Sequence, residues 1–240
     1  MREIIRLNEK SILIRRCGGA GESSRAPLVL LHAGAAEADA IGRACDADQD
    51  CPGYFMAAVD GIDWERDLTP WPAPKAFRGG KDFTGGAPAY LQELTECILP
   101  AAEEKIRACC PDYQPAYTAA AGYSLAGLFA VWALFETTVF HRAASASGSF
   151  WYDDFTERLA GRLPARLPDC CYFSLGDTES HTANRRLMRA EECTAAVRDC
   201  FAEKGVPTVF EMNPGGHFQD PEGRMAKGIR WMLTHGEERN

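Results

Sequence analysis

No stretch of the 240 residues approaches the ~18 uninterrupted apolar residues of a membrane-spanning helix, so none is expected. The opening MREIIRLNEK lacks the apolar core of a secretory signal, which points to a cytoplasmic protein. Basic residues are the minority sign: 26 Lys and Arg stand against 34 Asp and Glu, a net charge of −8. That balance argues against a nucleic-acid partner, which needs a basic surface. C-x-x-C pairs are also missing. The ten cysteines include the adjacent pairs Cys109-Cys110 and Cys170-Cys171, while Cys45 and Cys51 have no histidine at zinc-like spacing. Reduced thiols acting as small hydrophobic residues are therefore expected, with no metal site and no structural disulfide.

What is present is an alternation of short apolar runs and amphipathic stretches, most simply one domain over residues 1–240. Ile4-Ile5, Ser11–Cys17, Leu28–Leu31, Tyr54–Val59, Tyr117–Ala121, Arg142–Ser147, Cys170–Leu175 and Pro207–Met212 read as strands. Ala35–Cys45, Ala87–Cys110 (with Pro100 as a kink), Leu125–Phe135, Asp154–Leu163, Leu187–Lys204 and Pro221–Leu233 read as helices. The stretch CGGAGESSRAP reads as a loop. This order predicts an α/β fold: a mostly parallel central sheet with helices on both faces. Residues 60–86 break the pattern with Trp64, Trp71, Phe77, Phe83, three prolines and five glycines. An irregular segment of that length is expected to border a functional site.

Ligands of such sheets bind beyond the carboxyl ends of the strands. Ser124, Glu179 and His217 each follow a strand on that side. Gly122-Tyr123-Ser124-Leu125-Ala126 fits the nucleophile elbow G-x-S-x-G with alanine at the last position, set between a strand and a helix. The order Ser124, Glu179, His217 is that of a Ser…acid…His triad. Each residue also has a plainer reading: Ser124 as a helix N-cap, Glu179 as a solvated or capping carboxylate, His217 as a loop histidine. His32, His141, His181 and His235 have no comparable setting.

Residues 25–235 resemble the α/β-hydrolase superfamily of serine esterases, in its esterase-D-like and siderophore-esterase-like branch. GYSLAGLFA, SASGSFWYDDF, YFSLGDTESHT and PGGHF carry the resemblance, and the stretch from Asp63 to Pro100 is similar to a segment of uncharacterised bacterial hydrolases. The resemblance implies hydrolysis of a small-molecule carboxylic ester with no cofactor. It makes Ser124 the nucleophile, His217 the base and Glu179 the acid, three residues after Gly176, with Asp177 as the alternative. The amide of Leu125 is one oxyanion donor. The other comes from His32-Ala33-Gly34, where the lipase pattern is HGGG, and Gly34 is chosen over Ala33. Trp71, Trp151 and Tyr123 are candidate substrate contacts, with packing on the core as the competing role for the tryptophans. Arg78 and Lys81 are either anion contacts or solvated charges. An acyltransferase would use the same residues, and a non-catalytic binding protein of this fold is the alternative class.

Overall fold

The computed structural model describes residues 1–19 and 23–236, so residues 20–22 of the expected CGGAGESSRAP loop lie outside the described residues. The strands are β1 (Arg2–Leu7), β2 (Lys10–Cys17), β3 (Leu28–His32), β4 (Tyr54–Asp60), β5 (Pro72–Ala73), β6 (Phe83–Thr84), β7 (Thr118–Tyr123), β8 (Phe140–Ala146), β9 (Cys170–Gly176) and β10 (Thr208–Asn213). The α-helices are α1 (Ala35–Ala47), α2 (Trp64–Asp67), α3 (Ala87–Glu93), α4 (Leu99–Cys109), α5 (Leu125–Glu136), α6 (Phe155–Leu159), α7 (Ala190–Ala202) and α8 (Pro221–Thr234). Eight strands form one sheet in the order β1-β2-β4-β3-β7-β8-β9-β10. The β1–β2 and β2–β4 pairs are antiparallel, and every pair from β4 to β10 is parallel.

The central strands are apolar along their whole length because both faces are covered. Leu28, Leu30, Ala57, Ala120, Ala143 and Phe173 point to one side, where α3, α4, α5 and α7 pack. Val29, Leu31, Met56, Ala58, Ala119 and Ala144 point to the other, under α1 and α8. Helix α5 is buried from Ala126 to Phe135, which explains a sequence apolar around its full circumference. No described helix is long and apolar enough to cross a membrane.

Three helices depart from expectation. The run 87–110 is split by a wide π-turn at Leu94–Ile98, where the amide of Leu99 bonds the carbonyl of Leu94. Pro100 follows at once, and the wide turn accommodates a residue that has no amide proton to give. The helix expected over 154–163 is one short turn, ended by Ala160 in an extended conformation and Gly161 at positive φ. That expected over 187–204 opens as a 3₁₀ turn, Leu187–Arg189, before α7. The irregular segment 60–86 contains α2, capped by the Asp63 side chain, and the small β5–β6 ribbon.

Candidate active site

Strand β7 turns into α5 through Ser124, whose φ of 57° and ψ of −121° L residues rarely adopt. The turn is tight enough that a Cβ on Gly122 would lie 2.2 Å from the carbonyl of Ala126. Glycine is required there, and Ala126, against whose carbonyl it packs, is fully buried. The conformation sets the Ser124 hydroxyl at the carboxyl edge of the sheet, with the first turn of α5 behind it.

The exits of β9 and β10 bring the partners. His217 Nε2 lies 3.1 Å from Ser124 Oγ, and His217 Nδ1 lies 2.7 Å from Glu179 Oε2. The Glu179 side chain is 6% exposed, and its other oxygen, Oε1, accepts from the Gly176 amide at 2.7 Å and the Ser147 hydroxyl at 2.6 Å. Arg224 of α8 donates to the same oxygen at 3.2 Å. Burial opposes the charge on Glu179, but the bonds from His217, Ser147 and Gly176 outweigh it and hold the carboxyl below its usual range. The pairing therefore adds stability above the unfolded carboxyl's pKa and loses it as pH falls through the depressed folded value. The expected alternative, Asp177, accepts the Gly215 amide at 2.8 Å and so braces the β10 exit.

Proton directions follow from this geometry. An ionised carboxylate only accepts, so Nδ1 carries the imidazole proton and Nε2 accepts from Ser124. The Ser124 proton is thus committed, and the buried hydroxyl of Ser149, 3.3 Å from Ser124 Oγ, must donate to it. The arrangement can move a proton from a serine hydroxyl to an imidazole steadied by a carboxylate.

A cavity of about 260 Å³ opens over Ser124. Leu125, Ser149, Trp151 and His217 line it together with Phe77, Phe83, Leu187 and Phe218. Segment 60–86 therefore reaches the site, through Phe77 and Phe83 with Glu65 and Lys81, whereas Arg78 is not among the lining residues. Trp71 does not line this cavity. Its indole nitrogen donates to the Asp153 carbonyl at 3.0 Å, its ring stacks on Phe155, and the Arg158 guanidinium lies 4.3 Å above it. The structure gives Trp71 the core-anchoring role. Tyr123 also stands behind the cavity wall, its hydroxyl donating to the His217 carbonyl at 2.8 Å.

The second oxyanion donor has no clear counterpart at the expected place. The Ala33 amide is used by the Val59 carbonyl at 3.2 Å. Gly34 is the N-cap of α1, and Glu37 is the N3 residue, at the spacing from which a carboxylate reaches back to an N-cap amide. Gly34 is not among the residues lining the cavity. His32 is buried, its Nε2 hydrogen-bonded to the Tyr90 hydroxyl at 2.9 Å, and burial pushes its pKa down to about 3. It is a neutral core residue.

Ser147, Ser149, Phe218 and Arg224 were not singled out from sequence. Arg224 carried the one usable signal: it shares a helix stripe with Met225, Gly228, Ile229 and Met232, where an unpartnered charge has no place.

Among the described residues no group of His, Cys, Asp and Glu is arranged to hold a metal ion. The ten cysteines are free thiols. Burial pushes Cys17 up to about 11 and Cys170 up to about 12, which keeps both protonated and inert. EDTA and mild reductant are accordingly expected to leave activity unchanged. A loss restored by a divalent ion would show a metal dependence that these residues do not explain.

No family model matches the chain. Over 160 residues it is 28% identical to an uncharacterised protein, YbbA, of Bacillus subtilis (strain 168), covering 65% of this chain and 62% of that relative's length. It superposes on siderophore hydrolase EstB from Aspergillus nidulans with a TM-score of 0.72 at 20% identity, over 96% of this chain and 94% of that one. An IroE-like serine hydrolase from Shewanella oneidensis superposes with a TM-score of 0.75 at 17% identity, over 96% of this chain and 78% of that one. Together with the eight-stranded sheet, these likenesses give the chain the α/β-hydrolase fold.

Proposed function

We propose that this protein is a serine hydrolase that cleaves a small-molecule carboxylic ester, its one domain carrying a Ser124–His217–Glu179 triad. The observation that carries the reading is the unbroken chain of contacts from Glu179 Oε2 to His217 Nδ1 (2.7 Å) and from His217 Nε2 to Ser124 Oγ (3.1 Å). Ser124 attacks the ester carbonyl while His217 takes its proton. Glu179 holds the tautomer and offsets the imidazolium charge. The Leu125 amide, next after the nucleophile, binds the tetrahedral oxyanion. His217 then protonates the leaving alcohol, and water activated by the same imidazole releases the acid.

The names of two solved relatives, a siderophore hydrolase and an IroE-like serine hydrolase, make a siderophore-type ester a reasonable first substrate to try. The apolar cavity wall suits an acyl group with aromatic or branched carbon more than a charged one. The test is a panel of esters varying acyl size and charge, siderophore lactones included. Turnover of at least one class supports the reading, and no turnover of any would reject it.

The same panel separates two aromatic residues. Phe77→Ala is expected to raise KM several-fold for bulky acyl groups and to leave kcat on a small activated ester nearly unchanged. Trp71→Ala is expected to act on stability instead, lowering Tm by several degrees for a loss of about 1–3 kcal/mol. A KM effect at Trp71 with none at Phe77 would reverse their roles.

A further inference from the structure

One buried charge has no part in attack, proton transfer or oxyanion binding. The Arg224 side chain is 3% exposed. Its Nη1 lies 3.2 Å from Glu179 Oε1, 3.3 Å from the Tyr123 hydroxyl and 3.4 Å from Ser147 Oγ, and its Nη2 donates to the Pro214 carbonyl at 2.8 Å. These partners come from four places. Glu179 follows β9, Pro214 stands three residues before His217, Tyr123 directly precedes Ser124, and Ser147 leaves β8 at a φ of 49°. Burying a guanidinium costs several kcal/mol, and an apolar side chain of similar volume often stabilises a core as well or better. Stability is thus a weak reason for an arginine here.

We propose that Arg224 is a positioning residue of the site, fixing Glu179 through Oε1 and sharing its charge so that His217 faces a partly neutralised carboxylate. The inference rests on the triad reading above. The geometry supports a division of labour on Glu179. Oε1 is saturated by Gly176, Ser147 and Arg224, which fixes the carboxylate plane and leaves Oε2 to His217 alone. Arg224 Nη2 and the Tyr123 hydroxyl hold the His217 loop from behind, through Pro214 and the His217 carbonyl. The charged groups facing the imidazole are few. Glu179 and Arg224 stand at its Nδ1 side, while Glu65 and Lys81, of opposite sign, also line the cavity. The carboxylate of Asp177 is taken by the Gly215 amide.

The test is kcat/KM against pH, with Tm, for Arg224→Gln and Arg224→Lys, using Ser124→Ala as the blank. Without Arg224 the carboxylate acts on His217 undiminished, and the imidazolium holds its proton to higher pH. In Arg224→Gln the midpoint of the acidic limb is expected to rise by about 0.5–1.5 pH units, with kcat per folded molecule falling roughly tenfold or more. Arg224→Lys keeps the charge but not the fork, so its limb should stay at the wild-type position while kcat falls several-fold. A folded Arg224→Gln with an unmoved limb would overturn the proposal. Should that variant not fold, Arg224→Lys decides: a kcat equal to wild type would overturn it. Hydrolysis that survives Ser124→Ala would instead fail the triad reading itself, whatever Arg224 does.

Discussion

Ser124→Ala is expected to lower ester hydrolysis by at least about 10⁴-fold, leaving only the residual rate that substrate and oxyanion binding supply. The hydroxyl is the whole nucleophile, and no neighbouring group replaces it in reach of His217. Ser149 Oγ is 3.3 Å away, but its side-chain hydrogen bond is to Ser124 and not to His217. The fold should survive. Alanine meets the same backbone strain at φ 57° as serine does, and Gly122 and Ala126, which shape the turn, are untouched. The loss is one hydrogen bond to His217 and a partner for Ser149, about 0.5–1.5 kcal/mol. For a chain of this size that is a Tm change of roughly 1–6 °C. Turnover retained in the purified variant, with host esterases excluded, would remove Ser124 from the mechanism.

Glu179→Gln should have the next largest effect, a fall in kcat of ~10²–10⁴. The amide is nearly isosteric but has no charge to offset an imidazolium. It also lets His217 adopt the other tautomer, which points a proton at Ser124 Oγ in place of a lone pair. The change should lower Tm as well, because Arg224 is left buried without its counter-charge. Activity must therefore be expressed per folded molecule. Asp177→Asn is the matched control. Its side-chain oxygen still accepts the Gly215 amide, so activity should stay within a few-fold of wild type. The opposite ranking would move the acid role to Asp177, and two mild effects would leave a Ser–His dyad.

The frame of the site was legible in sequence because it depends on rules with a fixed period. Apolar runs bounded by turns gave the strands, and strand exits gathered Ser124, Glu179 and His217 on one edge. Contacts made across the irregular segment were not legible. Residues 60–86 have no repeat that tells which aromatic faces inward. Trp71, fastened to Asp153 and Phe155, and Phe77, facing the cavity, look alike in sequence. Gly34 is a different case. The spacing Gly34-Ala35-Ala36-Glu37 is that of an N-cap whose amide is met by the glutamate three residues on. It stood in the sequence, overshadowed by the lipase pattern. Arg224 was legible only as a charge on a buried helix face, because periodicity does not say that a strand exit beneath that face carries its partner carboxylate.

Activation of Ser124 by His217 is tested by labelling with a fluorophosphonate probe. The native protein is expected to take up one phosphonyl group per chain, located by mass spectrometry on the peptide containing Ser124. Labelling should vanish in Ser124→Ala and become far slower in His217→Ala, whose serine has no base. A native protein that stays unlabelled, or a label that persists in Ser124→Ala, would contradict the account.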